Sequence, residues 1–253
     1  MDAWRYRPAA DLGLSPLGRL TSVRREAGTG EWLAQHAWWS LMRTYLAVAQ
    51  RLKVKGRERL PASPPFVLVS NHTSHLDAVV LGALLRARDR GQAFPVGAGD
   101  TFFRTPAVAA FSALLLNALP LWRRACGSHA LETLRARLVE ERCVLILFPE
   151  GTRARDGRLG PFRAGLGRLV AGTAVPVVPC HVRGAFESWP AQRPAPRRGA
   201  IRVRVGAPLT FQGVPDAREG WDLVAAAAHA AVEALAAEDA APRGGVSGSS
   251  RAP

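Results

Sequence analysis

Three stretches of the sequence are continuously apolar over the length of a strand: Pro65-Phe66-Val67-Leu68-Val69, Cys143-Val144-Leu145-Ile146-Leu147 and Ala174-Val175-Pro176-Val177-Val178-Pro179. A strand with one face in water alternates apolar and polar residues, whereas a strand covered on both faces has no polar side to show. These runs belong inside a sheet, and the segments between them must cover it. Several of those segments carry apolar residues at helical spacing. Strands alternating with helices specify an α/β fold: a single domain with a mostly parallel central sheet flanked by helices, preceded by an amphipathic N-terminal helix. At 253 residues, 48% of them hydrophobic, the chain can bury such a core as one domain.

Residues 1–30 are polar and interrupted by Pro8, Gly13, Pro16, Gly18, Gly28 and Gly30, which predicts an irregular basic arm. Over 31–51, Trp32, Leu33, Trp39, Met42, Tyr45 and Leu46 recur at three- and four-residue steps. With Trp38 and the flanking Arg43, Arg51, Lys53 and Lys55, this helix suits either a membrane interface or a core-packing face. The main folded domain is expected over 52–238. Leu52-Lys53-Val54-Lys55 and Ile201-Arg202-Val203-Arg204-Val205 alternate as edge strands do, and Phe94-Pro95-Val96-Gly97 is a further short strand. Thr105-Pro106 pairs a capping residue with a proline at the first helical position, opening an apolar helix that Pro120 stops. That helix is apolar nearly all round, which implies burial in protein or contact with lipid. Further helices are expected near 128–140 and 218–237, and the Gly/Ser/Ala/Pro/Arg stretch 239–253 reads as a disordered tail.

The first apolar run leads directly into Asn71-His72-Thr73-Ser74-His75-Leu76-Asp77, and a helical pattern begins at Ala78. Loops at strand ends are where α/β sheets place chemistry. On a regular helix a five-residue step turns about 500°, so His72 and Asp77 would diverge. With His72 in the turn and Asp77 in the first helical turn, the carboxylate can fold back on the imidazole. An imidazole, which titrates near ~6.5 in model peptides, suits general-base work at neutral pH. The Asp would hold the second ring N–H and stabilise the imidazolium as it forms.

Charge narrows the partners. Thirty-four Lys+Arg against 20 Asp+Glu give a net charge of +14, a surface that attracts anionic lipid, phosphorylated substrates or nucleic acid. No recognised nucleic-acid-binding motif accompanies it, so nucleic acid is not expected as a partner. Cys126, Cys143 and Cys180 are odd in number and widely spaced, which implies neither a disulfide framework nor a metal site and favours a reducing compartment. The N-terminus lacks an apolar h-region, so no secretory signal is expected, and no apolar run of about 18 residues predicts a span of the bilayer.

The chain resembles the glycerophospholipid acyltransferase family, whose best-known members are lysophosphatidic acid acyltransferases. The resemblance covers roughly Leu52 to Val205 and rests on four blocks in the family's order. Asn71 to Asp77 matches the family's His-x-x-x-x-Asp block. Ala118-Leu119-Pro120-Leu121-Trp122-Arg123 resembles the second, Phe148-Pro149-Glu150-Gly151-Thr152-Arg153 with Arg155-Asp156-Gly157 the third, and Val175-Pro176-Val177-Val178-Pro179 the fourth. Two positions depart from the pattern: His75 stands where many members have an aromatic residue, and Asn117 where the second block usually opens with Gly.

The resemblance implies transfer of a fatty acyl group from acyl-CoA or acyl-carrier protein to the free hydroxyl of a lysophospholipid, foremost 1-acyl-sn-glycerol 3-phosphate, with no bound cofactor. His72 and Asp77 would be the catalytic pair. Arg123 and Arg153 would supply forked donors to the acceptor phosphate. Gly151 would allow close backbone approach, Thr152 belongs to the same substrate-binding turn, and Glu150 would either accept from an acceptor hydroxyl or orient an arginine. No Ser or Cys sits in a nucleophile-elbow context, so transfer is expected to be direct. The implied location is the cytoplasmic face of the cell membrane, peripheral or monotopic, against an anionic surface. A relative with another acceptor, such as a lyso-aminolipid, would show the same motifs.

Overall fold

The structure is a computed structural model that describes residues 9, 11–26, 28–121 and 128–240. Its frame is a seven-stranded sheet of β1 (Lys53–Lys55), β2 (Phe66–Ser70), β3 (Ala93–Ala98), β4 (Leu119–Leu121), β5 (Val144–Leu147), β6 (Val177–Arg183) and β7 (Arg202–Val205). The order is β1-β7-β6-β2-β5-β3-β4, and every pairing is parallel except β6 with β7. The helices are α1 (Pro16–Leu20), α2 (Thr29–Val48), α3 (Asp77–Leu84), α4 (Ala87–Arg90), α5 (Gly99–Phe102), α6 (Pro106–Ala110), α7 (Ser128–Glu140), α8 (Gly165–Val170), α9 (Ala185–Ser188) and α10 (Arg218–Ala240).

The continuous apolar runs have a direct physical use. In β2, Phe66 and Leu68 face one core with α2 and α3, while Val67 and Val69 face a second core with α7, α8 and α10. In β5, Val144 and Ile146 take the first side and Leu145 and Leu147 the second. Both strands are therefore covered on both faces, the α/β arrangement that the sequence implied.

Three local expectations are corrected. The third run becomes a strand only from Val177 and then continues through Cys180-His181-Val182-Arg183. Its polar half is held by α10, whose Asp239 carboxylate pairs with His181 and whose Asp239 carbonyl accepts from Arg183. Nor is β7 an edge strand, since β1 lies outside it. Its alternation arises because Val203 and Val205 are buried while Arg204 pairs with Glu238 and Asp239 of α10, so the second face is covered by charge. Finally, Pro120 does not stop a helix. The chain leaves α6 through a π-helical turn, Phe111–Leu115, and Asn117 adopts a left-handed φ of 55° that turns it into β4, where Pro120 sits on an edge strand.

Asn117 is fitted to that turn. Asn tolerates the left-handed region better than most residues, and its buried amide donates to the Ala93 and Gly91 carbonyls and accepts from Arg25. Arg25 is itself 2% exposed, and burial lowers its pKa to about 10. The arm is thus docked at this point and contains α1. Of the three tryptophans on α2, Trp39 is buried, Trp38 packs edge-on against Phe111 at 5.5 Å, and only Trp32 is exposed. Among the described residues no helix is long and apolar enough to cross a membrane. The second block's Trp122 and Arg123, Cys126 and the tail beyond Ala240 lie outside the described residues.

Candidate active site

Strands β2 and β5 are parallel neighbours, so the turns that leave their C-terminal ends lie side by side. The first turn carries His72 and the second Glu150 to Arg153. His72 Nδ1 stands 3.0 Å from Asp77 Oδ2, across the turn from strand to helix. The same oxygen accepts the backbone N–H groups of Thr73 at 2.7 Å and Ser74 at 2.8 Å, which suits a carboxylate at the start of α3. Asp77 is fully buried, all three of these contacts fall on Oδ2, and its Oδ1 has no hydrogen-bond partner. A carboxylate can only accept, so His72 presents a protonated Nδ1 to it and leaves Nε2 free as a base. The His72 ring lies on Phe148, centroids 4.1 Å apart and 18° from parallel.

Two residues fix this turn that the sequence reading did not single out. The buried Asn71 amide accepts from Val182 N at 2.8 Å and donates to Val182 O at 2.9 Å, replacing a missing ladder rung with β6. Ser74 Oγ donates to the Trp189 carbonyl at 2.7 Å and accepts from Leu76 N at 3.1 Å. The signal available was modest: Asn at a strand end and Ser three residues before an Asp are turn-forming residues.

Glu150 lies behind the site. Its Oε1 accepts His72 N–H at 2.7 Å, and its Oε2 accepts Gly160 N–H at 3.0 Å. Burial raises its pKa to about 7 against the opposing pull of those two bonds. The side chain therefore grips the backbone of His72 and not an arginine, although its carbonyl accepts Arg163 Nε at 3.1 Å. Gly151 has φ +74°, a conformation that favours glycine, and a Cβ there would also press on the Arg163 side chain, 2.9 Å from its Nε. A further bond, Ala154 N–H to the His72 carbonyl at 2.8 Å, ties the second turn to the first.

Arg153 reaches the His75 ring, its Nη1 2.6 Å from the ring nitrogens, one of which can accept. Only an imidazole that keeps a lone pair does so, and burial, then the Arg153 charge, hold the His75 pKa below the usual range. His75 packs on Trp189 at 4.9 Å, and Arg153 lies 5.8 Å over the Phe102 ring. The position where relatives were expected to carry an aromatic residue thus has both an aromatic contact and an acceptor for Arg153.

His72, Gly151, Thr152 and Arg153 line one cavity of about 390 Å3, together with His75 and Ser74. Asp77 and Glu150 stand behind it, and Arg123 lies outside the described residues. Leu116, Leu121, Leu131, Leu134, Leu166 and Leu169 give the same cavity an apolar lining. A cavity lined by an imidazole, a guanidinium and several leucines fits a molecule with a charged head and a hydrocarbon chain. No group of three His, Cys, Asp or Glu among the described residues is placed to hold a metal ion. Cys143 and Cys180 are free, buried thiols whose pKa burial raises to about 12, which leaves them unreactive.

A family model described as Acyltransferase matches residues 51–183. The chain is 34% identical over 159 residues to a chloroplastic 1-acyl-sn-glycerol-3-phosphate acyltransferase of Brassica napus, covering 62% of this chain and 44% of that one. To the alpha form of 1-acyl-sn-glycerol-3-phosphate acyltransferase of Homo sapiens it is 27% identical over 169 residues, covering 66% and 58%. The matched region therefore spans about half the length of these relatives. The fold is similar to the crystal structure of the 1-acyl-sn-glycerophosphate acyltransferase PlsC from Thermotoga maritima, with a TM-score of 0.62 and 21% identity over 82% of this chain and 81% of that one.

Proposed function

The chain belongs to the acyltransferase family, and from that premise we propose that it transfers a fatty acyl group from an acyl thioester, acyl-CoA or acyl-carrier protein, to the free hydroxyl of a lysophospholipid. The acceptor favoured is 1-acyl-sn-glycerol 3-phosphate, giving phosphatidic acid; the relatives from Brassica napus and Homo sapiens carry that substrate in their names. The observation that carries the reading is the bond of 3.0 Å between His72 Nδ1 and an Asp77 oxygen already held by two backbone donors.

His72 Nε2 takes the proton of the acceptor hydroxyl as its oxygen attacks the thioester carbonyl. Asp77 keeps Nδ1 protonated and stabilises the imidazolium. The tetrahedral intermediate then collapses, the C–S bond breaks, and the leaving thiolate recovers the proton from His72. Arg153 supplies a charged donor to the acceptor phosphate, with Arg123 assigned the same role by its block. The apolar lining takes a fatty chain, at roughly 0.8 kcal/mol for each buried methylene. The reaction lies at the cytoplasmic face of the membrane in this reading, with the protein bound peripherally.

Free thiol released from acyl-CoA, measured with and without lysophosphatidic acid, tests it. Wild type should release thiol only with acceptor, and His72→Ala should be slower by about 10^2 to 10^4. Release that survives the substitution unchanged would sink the mechanism. Arg153→Ala should raise the KM for lysophosphatidic acid far more than the KM for acyl-CoA; equal changes would remove Arg153 from the acceptor site.

A further inference from the structure

Between α2 and α4 lies a second cavity, of about 380 Å3, that shares no residue with the one beside His72. Its lining includes Gln35, His36 and Arg43 of α2 and Arg90 of α4, around the Trp39 ring. No Asp or Glu lines it. The Arg90 guanidinium lies 5.9 Å over that ring and donates through Nη2 to the Leu85 carbonyl at 3.0 Å. Its Nε, however, is buried without a protein partner. Gln35 is 3% exposed, and its Nε2 is likewise buried and unpartnered. Arg43 is exposed on the same wall and forms no ion pair among the described residues.

The surrounding charges do not neutralise the cluster. Arg57 donates to the Leu84 carbonyl and adds a further positive charge, so that burial, then Arg43 and Arg57, hold the Arg90 pKa below its ordinary value. Of the nearby carboxylates, Asp89 lies 3.7 Å from Arg88, and Glu31, one helical turn before Gln35, acts on Arg25 through its charge, with its buried Oε2 unpartnered and no ion pair to Arg43 or Arg90 among the described residues. His36 Nδ1 lies 2.8 Å from the Trp32 carbonyl and so carries its proton there. Buried donors without acceptors, beside cations without a counter-charge, are the complement of a multi-oxygen anion. Donors on two helices, one an amide and two guanidiniums, suit the three free oxygens of a phosphate group better than the two of a planar carboxylate.

We propose that this cavity is an anion site for a phosphate group, supplied by a phospholipid headgroup or by a soluble phosphate compound, and separate from the reaction site. The same helix leaves Leu33, Leu41 and Val48 uncovered, which would bring the cavity to headgroup level if that stripe entered a bilayer.

Two arms of one experiment test it on the full chain, neither of them reading activity. The first follows co-sedimentation with phosphatidylcholine vesicles, with and without phosphatidylglycerol. The second follows the shift in melting temperature with inorganic phosphate against sodium chloride of equal ionic strength. The variants are Arg43→Ala, Gln35→Leu and, as a distant control of equal charge change, Arg218→Ala. Arg43→Ala should weaken binding about fivefold. Gln35→Leu should weaken it too, although no charge is lost, while its melting temperature without anion stays at or above that of wild type. The control should change binding less than twofold. A response in the vesicle arm assigns the site to a headgroup, and a response to phosphate alone assigns it to a soluble compound. Equal losses in Arg43→Ala and Arg218→Ala with Gln35→Leu unchanged, or silence in both arms, would overturn the site.

Discussion

Glu150 holds His72 by its backbone and not by its ring. Each of its oxygens accepts one backbone N–H, that of His72 and that of Gly160, so it joins the two turns of the site. A glutamine has one oxygen for two donors, and its NH2 would oppose the other N–H. Glu150→Gln should therefore lower kcat by about tenfold or more while leaving the KM for acyl-CoA nearly unchanged, a buried donor left unpaired costing about 1–3 kcal/mol. A pH effect follows with a definite sign. Because burial raises the carboxyl from 4.5 to about 7, the folded state binds more protons than the unfolded one between those values. Stability is then lost as pH rises through that window, the reverse of an ion-paired carboxylate. Urea midpoints taken below and above it should fall more in wild type than in Glu150→Gln; identical falls would show that Glu150 is not the titrating group. At this scale the sequence exposed His72 and Asp77, because a strand end, a turn and a helix start fix their relation within six residues. It did not expose the Asn71 pairing with Val182 or the Arg25 bond to Asn117, which join residues about a hundred positions apart and leave no local spacing to read.

Elements were legible where burial is symmetric and obscure where charge or proline replaces apolar cover. Strands β2 and β5 are buried on both faces and announced themselves, whereas the second half of β6 is covered by Asp239 and reads as polar. β4 is three residues long and contains a proline, which only an edge position tolerates, so nothing in its composition marks a strand. The contact of α2 with α3 was equally hidden, because it depends on the absence of a side chain. A Cβ at Gly82 would stand 2.2 Å from the Trp39 ring, so the ring occupies the space that any side chain at 82 would need. Gly82→Ala should lower stability by about 1–3 kcal/mol through overpacking. Thermal denaturation of Gly82→Ala, Trp39→Leu and the double variant separates this from a helix-propensity effect. The double variant should be more stable than the sum of the two losses allows, since the leucine vacates the space the methyl needs. Strict additivity would mean that the two residues do not compete for that space.

At the scale of the whole molecule the net charge of +14 could be counted in the sequence, but not its relation to the uncovered apolar surface. Leu33, Leu41 and Val48 are exposed on α2, and Val108 and Phe111 are exposed on the adjoining segment, where Phe111 meets Trp38. A surface of this kind should bind a bilayer through two forces with different signatures. The attraction of fixed charge to anionic lipid is screened over about 10 Å at 0.1 M salt and about 3 Å at 1 M, so it should fade across that range. The burial of apolar side chains among acyl chains does not depend on screening, and a fully buried Leu or Phe is worth about 1.5–3 kcal/mol. Vesicle binding measured against salt should therefore fall steeply and then level off above zero. Substituting Leu41→Ser together with Phe111→Ser should remove the plateau, by at least tenfold in affinity, while leaving the salt-sensitive part in place. A fall to zero in wild type would mean that charge alone holds the protein to the vesicle. A protein that ignores anionic vesicles even at low salt would remove the membrane from the account and leave the uncovered stripe of α2 for a protein partner.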